Sequence, residues 1–267
     1  MTAFERKREY VMSEIRVVPV RAFSDNYVWT LRDETHAVVV DPGEARPVIE
    51  YLDREGLVLS AILNTHHHAD HVGGNAELLA RWPVPVFGPN DARIPDVTRR
   101  LSDGERITLP HFDVELEVMD IPGHTRSHIA FYGGGMLFSG DTLFAVGCGR
   151  LFEGTPEQMH RSLQRLARVP DSTRVYCGHE YTVSNIRFAK AAEPGNQALL
   201  TLEQRAAAQR AQDLPTLPTD IGQEKATNPF LRVHEPGVIA SASRHAGKAL
   251  GDPVSVLAAL RDWKNNF

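Results

Sequence analysis

The segment Asn64-Thr65-His66-His67-His68-Ala69-Asp70-His71-Val72-Gly73-Gly74 concentrates imidazoles and a carboxylate in a few consecutive residues. An apolar run that reads as a strand, Leu59 to Asn64, precedes it, and a helical pattern, Val72 to Arg81, follows, so it lies at a strand-to-helix turn. In backbone that is still extended, His66 and His68 project the same way, whereas Asp70 and His71 turn toward another quarter. Imidazole with carboxylate matches zinc, iron or manganese rather than calcium, and two pairs aimed apart suit two adjacent cations. One short loop could supply half of a dinuclear site; the competing reading is a polar surface loop that happens to be histidine-rich.

Three other segments share one local context. Pro122-Gly123-His124-Thr125, Phe138-Ser139-Gly140-Asp141-Thr142 and Tyr176-Cys177-Gly178-His179-Glu180 each set a candidate ligand beside glycine, directly after a strand-like stretch. Glycine is expected to permit the sharp turn that lifts the next residue off a strand end toward a shared centre. A single such His or Asp is more often a satisfied core or loop residue; the recurrence reverses that preference. The ligand set read here is His66, His68, Asp70, His71, His124, Asp141 and His179. Asp41, which closes Val38-Val39-Val40, either orients a ligand histidine or only caps the turn at Pro42-Gly43.

The elements that must position these residues follow from the patterning. Strands are predicted at Ile15 to Val20, Tyr27 to Leu31, His36 to Val40, Leu59 to Asn64, Val84 to Phe87, Val114 to Met119, His128 to Tyr132, Met136 to Phe138 and Arg174 to Tyr176. Helices are predicted at Ala45 to Arg54, Val72 to Arg81 and Pro156 to Arg168, the last with Thr155 as N-cap and Pro156 at its first position. Gly133-Gly134-Gly135 reads as a hairpin turn, since no helical pattern follows it. After His179 the strand signals stop; Thr182 to Ala192, Gln197 to Gln212 and Pro253 to Trp263 read as helices, and Asp213 to Thr219 as a loop. The chain therefore divides into an α/β domain, residues 1–180, and a smaller helical domain, residues 181–267.

Composition limits the function classes. At 267 residues with 42% hydrophobic and 24% charged residues, the chain can bury a substantial core without a metal or disulfide. No apolar run approaches the ~20 residues needed to cross a bilayer, and Met1 to Ile15 is polar, reading as a frayed start rather than a secretory signal. A net charge of −5 without a basic stripe argues against nucleic acid and for a small-molecule substrate. Cys148 and Cys177 are too few for a disulfide framework and read as small buried residues, so a cytoplasmic protein is expected.

In its Thr65-His66-x-His68-x-Asp70-His71 segment and the separate His124, Asp141 and His179, the sequence resembles the metallo-β-lactamase superfamily. It resembles the glyoxalase II (hydroxyacylglutathione hydrolase) family more closely, through Ser24-Asp25-Asn26-Tyr27, Gly140-Asp141-Thr142-Leu143-Phe144, Gly147-Cys148-Gly149-Arg150, Phe152-Glu153-Gly154-Thr155, Gly178-His179-Glu180-Tyr181-Thr182, Glu193-Pro194-Gly195-Asn196 and Asn228-Pro229-Phe230-Leu231-Arg232. The resemblance implies a four-layer αββα sandwich followed by a small helical C-terminal domain. It also implies one metal on His66, His68 and His124, a second on Asp70, His71 and His179, and Asp141 bridging both. Arg150, Phe152, Tyr181, Arg261 and Lys264 match the positions with which that family holds glutathione. Arg150 stands where many relatives have lysine, and Phe152 where many have tyrosine, which deletes a hydroxyl donor.

The reading that follows is a monomeric thioesterase with two divalent ions, zinc foremost, with iron or manganese also compatible. Its substrate is a glutathione thioester, S-D-lactoylglutathione, cleaved to glutathione and D-lactate. Two such ions lower the pKa of a shared water to about 7, giving a bridging hydroxide without a serine or cysteine nucleophile. A leaving thiol with pKa of about 8.5 departs as thiolate with little help from an acid. Alternatives are a mono-iron glutathione persulfide dioxygenase with the same fold and, from another class, a non-catalytic metal-bound binding module. A β-lactamase fits less well, since some of those place cysteine where Asp141 stands and have no use for a glutathione-type tail.

Overall fold

The computed structural model describes residues 15–267, so the frayed start read from the sequence lies, Ile15 aside, outside the described residues. A first six-stranded sheet runs in sequence order: β1 (Arg16–Ala22), β2 (Asn26–Arg32), β3 (His36–Val40), β4 (Val58–Leu63), β5 (Val86–Pro89) and β6 (Arg99–Leu101). Strands β1 to β3 form an antiparallel meander and β3 to β6 are parallel. The second sheet contains β7 (Arg106–Thr108), β8 (Glu115–Asp120), β9 (Ile129–Gly133) and β10 (Met136–Gly140). A small hairpin, β11 (Leu143–Phe144) with β12 (Gly147–Cys148), leads to β13 (Arg174–Cys177), parallel to β10, and to the edge strand β14 (Thr219–Asp220).

Alternation along the strands explains how the sheets stack. Trp29, Leu31, Val38, Val40 and Leu63 of the first sheet meet Val118, Ile129, Phe131 and Phe138 of the second in one buried layer. The opposite faces are also covered. Val28, Val39 and Ile62 pack beneath α1 (Ala45–Glu55) and, beyond the short α2 (Ala69–Val72), beneath α3 (Asn75–Arg81). Ala130, Leu137 and Val175 pack under α4 (Pro156–Leu166) and α5 (Thr182–Ala192); α6 (Gln197–Ala211) and α7 (Ile221–Thr227) follow, and α8 (Pro236–Ala246) and α9 (Pro253–Asn265) complete that layer. The result is a helix–sheet–sheet–helix sandwich in which central strands are buried on both faces, which is why they read as nearly continuous apolar runs.

Several sequence expectations need correction. Strand signals do not end at His179: Thr219 and Asp220 add β14 to the edge of the second sheet, inside what read as a loop. Four short strands, β6, β7, β11 and β12, and two helices, α7 and α8, were not foreseen. The helix expected over Val72 to Arg81 is broken, because Gly73 and Gly74 lie against neighbouring backbone where any Cβ would collide with Ala69 O, Gly43 O and Pro42 O. Asp70 and His71 consequently ride on the short α2 rather than on a loop. The Gly134–Gly135 turn between β9 and β10 is as expected, and α4 begins with a full capping box in which Thr155 and Gln158 serve each other.

Candidate metal centre

Because β4, β8, β10 and β13 end at the same edge of the sandwich, the residues just past them meet. His66 and His68 follow β4, His124 follows β8, Asp141 follows β10 and His179 follows β13. Two donor groups result, His66–His68–His124 and Asp70–His71–His179, each with ligand-type atoms within 4.8 Å of one another. Asp141 lies between them. Its Oδ2 is 3.6 Å from His124 Nε2 and 3.3 Å from His179 Nε2, and its Oδ1 is 3.4 Å from His71 Nε2. All seven residues anticipated from the sequence are thus brought together.

The hydrogen bonds around the rings decide which nitrogen of each is available. His124 Nδ1 donates to Arg150 O (2.9 Å), His179 Nδ1 to Asp25 Oδ1 (2.8 Å) and His71 Nδ1 to Asp41 Oδ2 (3.1 Å). The Thr65 hydroxyl gives its only hydrogen to Asp41 Oδ2 (2.7 Å) and so accepts from His66 Nδ1 (3.0 Å). In each ring Nε2 is left facing inward, the tautomer a cation needs. His66 Nε2 and His124 Nε2 then lie only 3.2 and 3.0 Å from His68 Nδ1, and one hydrogen on that nitrogen cannot serve both. His71 Nε2 and Asp141 Oδ1 are buried without a hydrogen-bond partner. Converging lone pairs and orphaned buried atoms are costly unless an ion fills the space between them, so the residues fit divalent cations.

Proton affinities carry the same message. Burial, then the neighbouring imidazoles, holds His66 well below the ordinary histidine range and His68 down at about 4, and burial lowers His124. The other side of the centre behaves oppositely. Burial opposes the charges of His71 and Asp141, but Asp141 and Asp41 raise His71 well above its usual range, and His71 with His179 pulls Asp141 well below its own.

Support around the donors was partly invisible in the sequence. Asp41 orients His71 and also accepts Thr65 N–H (2.7 Å), so it does more than cap the turn; its backbone is left-handed, with φ 54°. Its two oxygens are therefore already engaged, and its proximity to His66 and His71 does not make another metal site. Asn26 donates to Asp70 Oδ2 (3.1 Å). Buried His128 stacks on His66 (4.6 Å between centroids) and accepts the Asp141 N–H through Nε2 (3.1 Å). Asp25 and Asn26 fall within a motif singled out from the sequence, whereas His128 looked like an ordinary strand residue. Glycine plays two separate parts. Gly140 adopts a positive φ of 47° before Asp141, but Gly178 is needed for space: a Cβ there would lie 2.6 Å from Asp141 Oδ1 and 2.7 Å from His71 Cε1.

Five of the donors, His68, Asp70, His124, Asp141 and His179, floor a cleft of about 620 Å³ whose walls include Arg150, Phe152, Tyr181, Arg261 and Lys264. Tyr181 stacks on His179, 4.7 Å between centroids and nearly parallel. Phe152 is 62% exposed and stands edge-on to His68 (5.6 Å) and His124 (5.3 Å), close to the donors rather than at the remote end. Arg261 is buried, and its Nη1 donates to Cys148 O (2.7 Å). Lys264 sits over the Phe188 ring, and burial, reinforced by Arg261, pushes its ammonium down to about 8. Both cysteines are free and buried.

Comparison with known proteins agrees with this architecture. Residues 22–179 match the family model described as metallo-beta-lactamase superfamily, and residues 180–267 match that described as hydroxyacylglutathione hydrolase C-terminus. The chain is 53% identical to the hydroxyacylglutathione hydrolase of Nitrosomonas europaea over 95% of this chain and 97% of the relative. It is also 53% identical to that of Methylobacillus flagellatus, over 94% and 99%. Among solved structures it is similar to ETHE1 from Myxococcus xanthus (TM-score 0.62, 25% identity, 94% and 98% coverage). It is similar as well to TTHA1623 in a di-iron-bound form (TM-score 0.57, 30% identity, 80% and 100% coverage). With seven donors at one edge of an αββα sandwich, a helical tail walling the cleft beside them, and relatives of this identity along almost the whole chain, the protein belongs to the hydroxyacylglutathione hydrolase family of the metallo-β-lactamase superfamily.

Proposed function

We propose that the chain hydrolyses S-2-hydroxyacylglutathione thioesters, S-D-lactoylglutathione foremost, to glutathione and the free acid, D-lactate in that case, the second step of methylglyoxal detoxification. The observation that carries this reading is one cleft joining the two donor groups to three cationic side chains, Arg150, Arg261 and Lys264. A substrate with a reactive thioester at one end and peptide carboxylates at the other suits such a cleft. In this reading His66, His68 and His124 would hold one divalent ion and Asp70, His71 and His179 a second, with Asp141 within reach of both donor groups; zinc is foremost, and iron or manganese is compatible. When bound, such a pair supplies Lewis acidity and a water that ionises near pH ~7.

The chain's own residues do the rest. Asp41, Thr65, Asp25 and the Arg150 carbonyl fix the ring tautomers, so little reorganisation is needed at the donors. Arg150, Arg261 and Lys264 anchor the carboxylates of the glutathione portion. Tyr181, its phenol kept neutral by burial and by Asp25, offers a hydrogen-bond donor beside His179. Phe152 narrows the cleft next to His68 and His124 and makes no hydrogen bond through its ring.

We assign residues 1–180 the metal-binding role and residues 181–267 the substrate-binding one, a division supported by the two family matches meeting at residue 180. We read the protein as a monomer. No described helix is long and apolar enough to cross a membrane. Two free thiols support a reducing compartment such as the cytoplasm. Steady-state turnover of S-D-lactoylglutathione by the metal-loaded protein tests the proposal, with Asp141→Ala as control. No turnover, or full activity in the substituted protein, refutes it; oxygen uptake with glutathione persulfide would point instead to a dioxygenase.

A further inference from the structure

Behind the cleft lies a buried carboxylate that the chemistry above does not use. Glu224 of α7 is fully buried and does not line the cleft. Its Oε2 accepts Val146 N–H (2.7 Å) and Asn228 Nδ2 (2.9 Å), and its Oε1 accepts the Thr219 hydroxyl (2.7 Å). These donors are all neutral. Val146 joins β11 to β12 in the stretch that leads from Asp141 to Arg150, and it is a β-branched residue held at φ 58°, a conformation such residues avoid.

The neighbours of Val146 are fastened the same way. Asn228 Nδ2 shares its second hydrogen between Gly147 O (3.0 Å) and Phe144 O (3.3 Å), while Asn185 Nδ2 donates to Ala145 O (2.9 Å) and Arg261 to Cys148 O (2.7 Å). Every residue from Phe144 to Cys148 is thus tied by its backbone to a side chain of the helical tail. The Val146 side chain is itself buried among Ile186, Ala189 and Leu199. Phe144, Cys148, Gly149 and Arg150 of this stretch face the cleft.

We infer that Glu224 is a positioning residue: with Asn228 and Asn185 it clamps the hairpin at Phe144–Cys148 in its strained shape and thereby sets the wall that receives the substrate. The helical tail then shapes the cleft from behind as well as contributing side chains to it. Burial pushes the Glu224 carboxyl up to about 7, the mark of an acceptor kept where solvent cannot help it. The kinetic part of this inference rests on the thioesterase reading; the structural part does not.

Two substitutions separate acceptor from shape. In Glu224→Gln the amide oxygen still accepts Val146 N–H while the NH₂ turns to the Thr219 hydroxyl, so KM for S-D-lactoylglutathione stays within about twofold of the parent. In Glu224→Met no acceptor remains: KM rises on the order of tenfold, kcat falls by less, and metal content is unchanged. Hydrogen exchange of the amides of residues 144–148 accelerates at least tenfold in the Met variant and not in the Gln variant. Equal impairment of both variants, loss of metal in Glu224→Met, or unchanged exchange in it would each overturn the clamp. Should Glu224→Met fail to fold, Asn185→Ala, which releases Ala145 O and also trims the cleft wall, replaces it and is read by exchange alone. Faster exchange in this segment is then expected, and unchanged exchange overturns the inference. A parent enzyme without thioesterase turnover refutes the proposed function and leaves the exchange measurement to decide the clamp.

Discussion

Asp41→Asn tests the logic of the centre without altering its shape. The parent carboxylate takes three donors, Thr65 N–H on Oδ1 and both the Thr65 hydroxyl and His71 Nδ1–H on Oδ2. Asparagine is isosteric and tolerates the left-handed backbone at this position, so neither packing nor φ needs to change. Yet its amide has a single acceptor. With the oxygen toward His71, the NH₂ meets the Thr65 N–H; reversed, the NH₂ meets His71 Nδ1–H. One buried donor is left unpaired, at about 1–3 kcal/mol, or His71 turns to the other tautomer and presents a hydrogen on Nε2 where a lone pair is needed. At about 1.4 kcal/mol per tenfold, the metal on the His71 side binds roughly 5- to 150-fold more weakly. Chelator competition monitored by metal analysis should therefore resolve two classes of ion, one released early and one held as in the parent. Uniform affinity within twofold of the parent would show that Asp41 does not orient His71 energetically, and the tautomer argument would fall with it.

Three further outcomes are expected. Metal uptake at neutral pH should release about one proton from His71, whose affinity for it is raised by Asp141 and Asp41 against burial; calorimetry in buffers of different ionisation enthalpy measures this, and no release refutes it. Because burial lowers Lys264 to about 8, it is cationic below that pH and neutral above, so kcat/KM for the glutathione thioester should fall as pH climbs through 8, and Lys264→Arg should move the fall upward; a fall unmoved by Arg assigns it elsewhere. Gly178→Ala puts a methyl 2.6 Å from Asp141 Oδ1, and metal content should drop by at least half; full occupancy would mean the neighbouring strand end yields.

What the sequence made legible was whatever is written locally. The donors were readable because each follows a strand and three sit beside glycine, and central strands such as β3 and β4 because both their faces are buried and they are mostly apolar. Strand β14 was not readable, since two residues carry no period and Thr219 is recognisable as strand only once Val175 lies beside it. The break at Gly73–Gly74 comes from close approach to the loop after β3, which no window around the helix contains. His128 and Asp25 were missed as supports for a similar reason: their partners, Asp141 and His179, stand 13 and 154 residues away. Arg261 was anticipated as a ligand-binding residue, and its bond to Cys148 O is a contact that only tertiary structure discloses.

The origin of the donors has a mechanical consequence. His66, His68, Asp70 and His71 hang from one plate of the sandwich and His124, Asp141 and His179 from the other, so a captured ion would rivet the two plates along their open rim. Ions that bind only the closed form add resistance to unfolding by mass action, about 2.7 kcal/mol at a hundredfold excess over the dissociation constant. Thermal endurance of this protein should therefore track the cell's supply of metal, and starvation for it would loosen the rim before it touched the core.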